Sequence, residues 1–495
     1  MGIDLVLEMA TSAFPDRLAV GRRGEGLTYE ALDRLADCGA ALLTNANGSH
    51  LVFVGVNGTA LPALTFAAAR AGIPFVPMNY RLAQHQLVDL IGQLDDPVVV
   101  ADTDYLASVA GAARVNWSTD QFLEAAGGHE PLPRAAVPDD ATAIVLFTSG
   151  TTSAPKGVVL RHHHLLSYVM QTVDFGAATE DQAALVSTPP YHIAGIGAVL
   201  SNVYSGRRMV HLPNFTPSGW LDLVRIEGVT SAMLVPTMLA RVVEHLDGAP
   251  AETPTLESLA YGGARMPQPV LEAALAAFAD TGFVNAYGLT ETSSTVAVLG
   301  PEDHRDAWRN DELRSRLGSV GRIVPGIEAE IRDESGAVLG DGETGLLWVR
   351  GGQVSGDYMG QASVLDENGW FPTRDRARIE EGFLYIGGRA DDTIIRGGEN
   401  IAPAEIEDVL VRHPGVKEIA VIGVPDDHWG ESICAAIVPA GQTEPDPDDI
   451  REFCRARLRG SRTPDSVVFV AELPKNSTGK LVRRDLLPLV IAAAP

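Results

Sequence analysis

The sequence predicts an α/β protein built from more than one packed unit. Three observations predict it: the chain's length, an alternation of apolar strands with Ala/Leu-rich helices, and a change of character after Gly318. At 495 residues the chain is too long for one hydrophobic core, so several units are expected. LVFVGV (51–56) reads as a buried strand, followed by the helical ALPALTFAAARAG and a second strand, IPFVPM. TAIVLF (142–147) is another strand, running into a Gly/Thr/Ser loop. This alternation argues for parallel layers covered by helices. Between Gly318 and Gly388 short alternating strands broken by Gly and Asp turns read as a small antiparallel β unit. Past Gly388, IAPAEIEDVLVRHPGVKEIAVIGVPD reads as a capped helix and then a strand, the start of a separate α+β unit. The domain boundary is expected near Gly388 to Asp392.

Composition narrows the function. With Lys+Arg 38 against Asp+Glu 64, the net charge of −26 repels nucleic acid and anionic membranes while leaving room for a local basic cleft. Only four residues are lysine: Lys156, Lys417, Lys475 and Lys480. A chain that uses Arg almost everywhere keeps Lys where a compact, mobile point charge is useful. Cys38, Cys434 and Cys454 are scattered and odd in number, as in reduced cytoplasmic proteins. The start, MGIDLVLEMA, lacks a basic n-region, so no signal peptide is expected, and apolar runs such as Leu61 to Ala69 stop short of a membrane span. A cytoplasmic location follows as the expectation.

Four motifs carry chemistry. TSGTTSAPKG, Thr148 to Gly157, follows a predicted buried strand. The hydroxyls of Thr148, Ser149, Thr151 and Thr152, the flexible Gly150 and the cationic Lys156 suit a polyphosphate. A kinase-type P-loop is excluded, because Gly157 follows Lys156 and no Gly precedes it. NAYGLTETSS, Asn285 to Ser294, places Glu291 to hold a hard cation beside phosphates. In FPTRDRA (371–377) and the following GFLYIGGRADD, Asp375 suits two ribose hydroxyls and Arg389 the ribose or a phosphate. LPKNSTGKLVRR sets Lys480 after a Ser-Thr-Gly turn. The run His162, His163, His164 is not read as a metal site, since successive helical residues point about 100° apart.

These segments, in this order, resemble the adenylate-forming superfamily of acyl-CoA synthetases, aryl-CoA ligases, peptide-synthetase adenylation domains and firefly luciferase. LTYEAL (27–32), AGIPFVPMNYRL (71–82), PPYHIAG (189–195), YGGARMP (261–267) and GETGLLWVRG (342–351) extend the resemblance over nearly the whole chain. It implies a large N-terminal domain (1–388) of two α/β subdomains plus a small β-barrel, and a smaller mobile α+β C-terminal domain (389–495). It also implies roles. Thr148, Ser149, Gly150, Thr151, Thr152 and Lys156 would hold the β- and γ-phosphates of ATP. Gly262, Gly263 and Ala264 would flank the adenine with Tyr287 against it, within a nucleotide site that includes Asn285, Ala286, Gly288 and Thr290. Glu291 would bind Mg²⁺, Asp375 and Arg389 the ribose, and Asp391 would be the hinge. Lys480 would reach the α-phosphate and the acid's carboxylate. His192 would gate the thiol tunnel, which Gly398 would line.

The implied reaction joins a carboxylic acid to ATP as acyl-AMP, releases pyrophosphate, and passes the acyl group to coenzyme A. A free carrier protein or an amine is the alternative acceptor. The partners expected are small molecules, with no nucleic acid or membrane, in a monomer or homodimer. Three positions depart from the family pattern: Ser153 and Arg374 stand where the family has Gly, and Asn400 where several aryl-CoA ligases have Gln. By resemblance the acyl pocket draws on 191–197, 233–237, 261–263 and the stretch after Glu291. Ile193 stands where amino-acid-activating relatives carry Asp, and Ser258, Leu259 and Ala260 offer no charge for a second carboxylate. A largely apolar monocarboxylic acid is therefore expected, with Arg265 the nearby cation able to turn inward.

Overall fold

A computed structural model describes residues 1–134, 136–148, 155–397, 399–426, 428–458, 460–476 and 480–493. Ser149, Gly150, Thr151, Thr152 and Gly398, all expected in the site, lie outside the described residues, as does Ser153.

The alternating N-terminal sequence folds into two sheets. The first runs Val115–Ser118, Pro97–Ala101, His50–Val54, Phe75–Pro77, Thr142–Thr148, Lys156–Arg161. Its pairings are parallel except the last, where Thr142–Thr148 and Lys156–Arg161 form an antiparallel pair around the phosphate-loop motif. The second has nine strands, ordered Arg322–Ile323, Ser294–Leu299, Gly282–Leu289, Ser258–Gly262, Ser231–Leu234, Ala183–Val186, Arg208–His211, Leu18–Val20, Leu27–Thr28. From Gly282–Leu289 across to Leu18–Val20 these run parallel.

Apolar helices cement the two sheets. Ala60–Ala71 is buried along all but its last residue. Its Pro62 falls in the first turn, where the missing N–H would lack a helical partner anyway. The helix stops at Gly72, whose φ of 70° serves a left-handed cap. It joins Ile193–Ser205 and strands of both sheets in one apolar cluster. Each fully buried Leu or Phe there, such as Leu61 and Phe66, contributes about 1.5–3 kcal/mol.

The region expected as a small β-barrel is an antiparallel sheet of four strands in linear order: Ile327–Arg332, Gly345–Gly351, Phe371–Glu380, Phe383–Arg389. A further sheet orders Glu399–Ile401, Ile394–Arg396, Gly430–Pro439 and Val416–Asp426, with Ser466–Phe469 also paired to Gly430–Pro439. Helices Pro403–Leu410 and Pro447–Arg455 share its apolar cluster. This C-terminal unit touches the large one through Arg265 to Asp408, Arg412 to Gln268, and Lys417 to Glu244 at 3.3 Å. Among the described residues no helix is long and apolar enough to cross a membrane.

Candidate active site

The parallel strands of the nine-stranded sheet deliver their carboxyl ends to one edge, where open α/β sheets place ligands. Four neighbours, Ala183–Val186, Ser231–Leu234, Ser258–Gly262 and Gly282–Leu289, each run into a motif segment. The segment after the first ends in His192, which precedes helix Ile193–Ser205. The others lead to Val235–Thr237, to Gly263 and Ala264, and to the short turn Thr290–Thr292 that carries Glu291.

Two glycines are required here. A Cβ on Gly262 would sit 2.2 Å from the Ala286 carbonyl oxygen, and one on Gly288 would sit 1.6 Å from that of Ser294. The close approach of backbones lets the segments expected to flank the adenine lie side by side. Asn285 donates from its side-chain amide to the Ser319 carbonyl at 3.4 Å. Thr148 bonds to the Lys156 carbonyl at 3.5 Å across the strand pair that frames the phosphate motif.

Asp375 is 5% exposed, so its partners matter. The Tyr287 hydroxyl donates to Oδ2, and Arg389 Nε lies 3.3 Å from Oδ1. Arg389 also donates to the Thr373 carbonyl at 2.7 Å. Burial and the Asp375 charge push the Tyr287 phenol well above its ordinary pKa, so it stays a proton donor. Tyr287, expected against the adenine, is thus also a partner of Asp375, the carboxylate expected to hold the ribose.

Lys480 arrives from the C-terminal unit. With His192, Val235, Pro236, Thr237, Gly263 and Ala264 it lines a cavity of about 10 Å³, room for one water. The lysine keeps exposed surface. Crowding by protein atoms and the charge of Arg389 hold its pKa below the ordinary lysine value, against the pull of Asp375, Asp392 and Glu291. Burial, reinforced by Lys480, depresses His192 to about 4, so its imidazole is neutral at pH 7. His192, Glu291, Asp375 and Arg389, spread over much of the sequence, thus all lie within electrostatic or direct reach of Lys480.

Sequence reasoning missed Tyr358 and Asp392. Tyr358 donates to Glu291 Oε1 at 2.8 Å, and Asp392 pairs with Arg483 at 3.3 Å within the electrostatic reach of Lys480. A lone Tyr in SGDYMG gives no sequence signal for its distant partner. Arg374 takes φ 60°, the left-handed backbone that a Gly would adopt freely, and reaches Asp391 at 3.8 Å. The three histidines turn to separate backbone partners: His162 Nδ1 accepts from Ile3, His164 Nδ1 accepts from Arg161, and His163 Nδ1 meets the Asp139 carbonyl.

Residues 7–359 match the family model described as AMP-binding enzyme, and residues 405–480 match the AMP-binding enzyme C-terminal domain. The chain belongs to the AMP-binding enzyme family. As such it is an AMP-forming acid–thiol ligase. It is 32% identical to a feruloyl-CoA synthase of Amycolatopsis sp, over 95% of this chain and 96% of that one. It is 30% identical to the fatty acid–[acyl-carrier-protein] ligase ScoC of Streptomyces coeruleorubidus, over 95% and 93%. The ATP-bound structure of MatB from Rhodopseudomonas palustris superposes with TM-score 0.88 at 27% identity, covering 99% of both chains. The apo form of the same protein gives 0.78 with the same coverage and identity. This AMP-binding enzyme is thus nearer overall to the ATP-bound form than to the apo form.

Proposed function

We propose that the chain activates a largely apolar monocarboxylic acid as its acyl-adenylate, releasing pyrophosphate, and then forms the acyl-CoA thioester. The observation that carries this reading is Lys480, brought from the C-terminal unit into the field of Arg389, Asp375 and Glu291 and against His192. In the first half-reaction a carboxylate attacks the α-phosphorus of ATP, anion on anion. The Lys480 ammonium offsets that repulsion and follows the charge into the transition state. Arg389 and Asp375 orient the ribose. Lys156 takes the departing phosphates.

Glu291 fits Mg²⁺, because such sites use one or two carboxylates together with the phosphates themselves, and Tyr358 engages only one of its two oxygens. When bound there, Mg²⁺ supplies charge neutralisation to the leaving pyrophosphate.

In the second half-reaction the thiol approaches past His192, whose neutral ring can turn aside without moving a charge. Lys480 fills that side of the site, so the C-terminal domain (389–495) turns about Asp391 between the two steps. The last strand of the four-stranded sheet ends at Arg389 and the next sheet begins at Ile394, which supports a division of the chain there.

Pyrophosphate release is to be screened over an acid library with and without CoA. Thioester formation that needs CoA supports the reading. Acyl-adenylate that accumulates with CoA and discharges only onto an acyl carrier protein, as the ScoC relative suggests, or onto an amine, selects the alternative acceptor.

A further inference from the structure

Glu291 sits on a turn held by three residues of one later segment. Gln353 is buried and donates both amide hydrogens, to the Thr292 carbonyl at 2.9 Å and the Thr295 carbonyl at 2.8 Å. The Ser355 amide donates to the Glu291 carbonyl at 2.7 Å. The Tyr358 hydroxyl donates to Glu291 Oε1 at 2.8 Å. The same segment is stitched to the strand leaving the phosphate loop. Val159 N–H donates to the Asp357 carbonyl at 3.0 Å, and Met359 N–H to the Gly157 carbonyl at 2.8 Å. Arg161 pairs with Asp357 at 2.8 Å. Lys156 Nζ lies 5.6 Å over the Tyr358 ring. One side chain therefore touches both the carboxylate and the lysine that serve the same polyphosphate.

We propose that Tyr358 is a positioning residue that fixes Glu291 for Mg²⁺ through its hydroxyl and Lys156 for phosphate through its ring. The proposal rests on reading Glu291 as the Mg²⁺ carboxylate. A free glutamate side chain is rotamer-rich, and ordering it on binding costs free energy. The phenol orders it beforehand through Oε1 and does not itself occupy Oε2. A neutral donor does this without cancelling the carboxylate's charge, as an Arg or Lys would. Outer partners of this kind typically set metal affinity by about 10–100-fold. The ring acts separately, by cation–π attraction on Lys156.

The test is calorimetric titration of ATP into the full-length protein, in EDTA and in excess Mg²⁺, for wild type and the variants Tyr358→Phe, Tyr358→Leu and Glu291→Gln. Tyr358→Phe keeps the ring and is expected to bind metal-free ATP as wild type does while losing about 10–100-fold of Mg²⁺-linked affinity. Tyr358→Leu is expected to weaken metal-free ATP as well. The double variant Tyr358→Phe/Glu291→Gln is expected to match Glu291→Gln alone, which also separates this effect from any general loss of stability. Tyr358→Phe with wild-type Mg²⁺ dependence, beside a Glu291→Gln that has lost it, overturns the positioning role. An additive double variant overturns it too. Glu291→Gln with wild-type Mg²⁺ dependence instead overturns the reading of Glu291 beneath it.

Discussion

Arg374 and Asp391 form an ion pair at 3.8 Å that ties the four-stranded sheet of the large unit to the proposed hinge. Arg374 holds it from a backbone with φ 60°. A non-glycine residue there costs about 1–2 kcal/mol. Strain retained at a functional position motivates a functional hypothesis. The pair is open to solvent, at 70% and 46% exposure, so its worth lies in the range of about 0.2–1 kcal/mol.

Arg374→Gly separates these effects. Relief of strain is offset by the roughly 0.5–1 kcal/mol of extra backbone freedom that Gly has when unfolded together with the about 0.2–1 kcal/mol of the lost pair, so stability should barely change. Loss of the pair should favour release of the C-terminal domain and speed thioester formation relative to adenylation by about 1.4–5-fold. The gain should fade in high salt, which screens exposed charges. Single-turnover assays of each half-reaction at two ionic strengths check this; an unchanged ratio at low salt removes the clasp.

Lys480→Ala should lower adenylate formation by about 10²–10³-fold, roughly 3–4 kcal/mol, while sparing thioester formation from a supplied acyl-adenylate. Equal loss in both half-reactions would contradict the assigned role. The depressed pKa of Lys480 adds a pH signature. The ammonium is needed, so the rate falls as pH rises through that pKa, at a lower pH than for an ordinary lysine. The basic limb of kcat/KM, which reports the free enzyme, should shift upward in Lys480→Arg.

Much of the fold was legible because burial leaves a period in the sequence. TAIVLF became the strand Thr142–Thr148, and ALPALTFAAARA the buried helix Ala60–Ala71. Candidates were legible where a motif groups its chemistry in one stretch, as around Lys480 and Asp375, which the fold brings within electrostatic reach of each other. It was not legible where a single side chain acts on a distant one. Tyr358 reaches Glu291 across 67 residues, and no local pattern encodes that pairing. Arg374 was visible as a departure from glycine, but its left-handed φ and its reach to Asp391 required coordinates. Arg265 was expected to be able to turn into the pocket; the structure engages it with Asp408 of the C-terminal unit, because that carboxylate lies within reach when the domains are in this arrangement.

Acid should destabilise the protein well before its carboxylates protonate. His162, His164, His192, His211 and His304 are each depressed to about 4, in every case chiefly by burial. The unfolded chain binds protons near pH 6.5 and the folded chain does not until near 4. The stability these neutral rings confer is therefore full above about 6.5 and lost as pH falls toward 4. For His162 and His304, each 1% exposed, the loss between pH 7 and 5 is ~2 kcal/mol apiece. Urea unfolding at pH 7, 6 and 5 should give a steep fall with a slope of several protons. A flat profile would mean that the rings protonate without unfolding.

The acid specificity follows from the charge of the side chains around His192, which enclose a cavity with room for one water. Its lining is His192, Val235, Pro236, Thr237, Gly263, Ala264 and Lys480. His192 is neutral at pH 7, and Lys480 is the group proposed to serve the reacting carboxylate. Arg265, the nearby cation, is drawn away to Asp408. Ile193, at the place of the amino-acid-binding Asp, is 6% exposed and belongs to the apolar core. An ammonium or a second carboxylate entering here meets no partner of opposite charge among these side chains, and an unpaired polar group in such surroundings costs several kcal/mol. The comparison is kcat/KM for a medium-chain fatty acid, a cinnamate-type acid, an amino acid and malonate. The first two should exceed the last two by about 10²-fold or more, as a loss of roughly 3 kcal/mol requires. Arg265→Ala should leave that ranking unchanged, since the guanidinium is held outside the cavity. A preference for malonate that disappears in Arg265→Ala would instead place Arg265 in the pocket during catalysis and overturn the apolar reading.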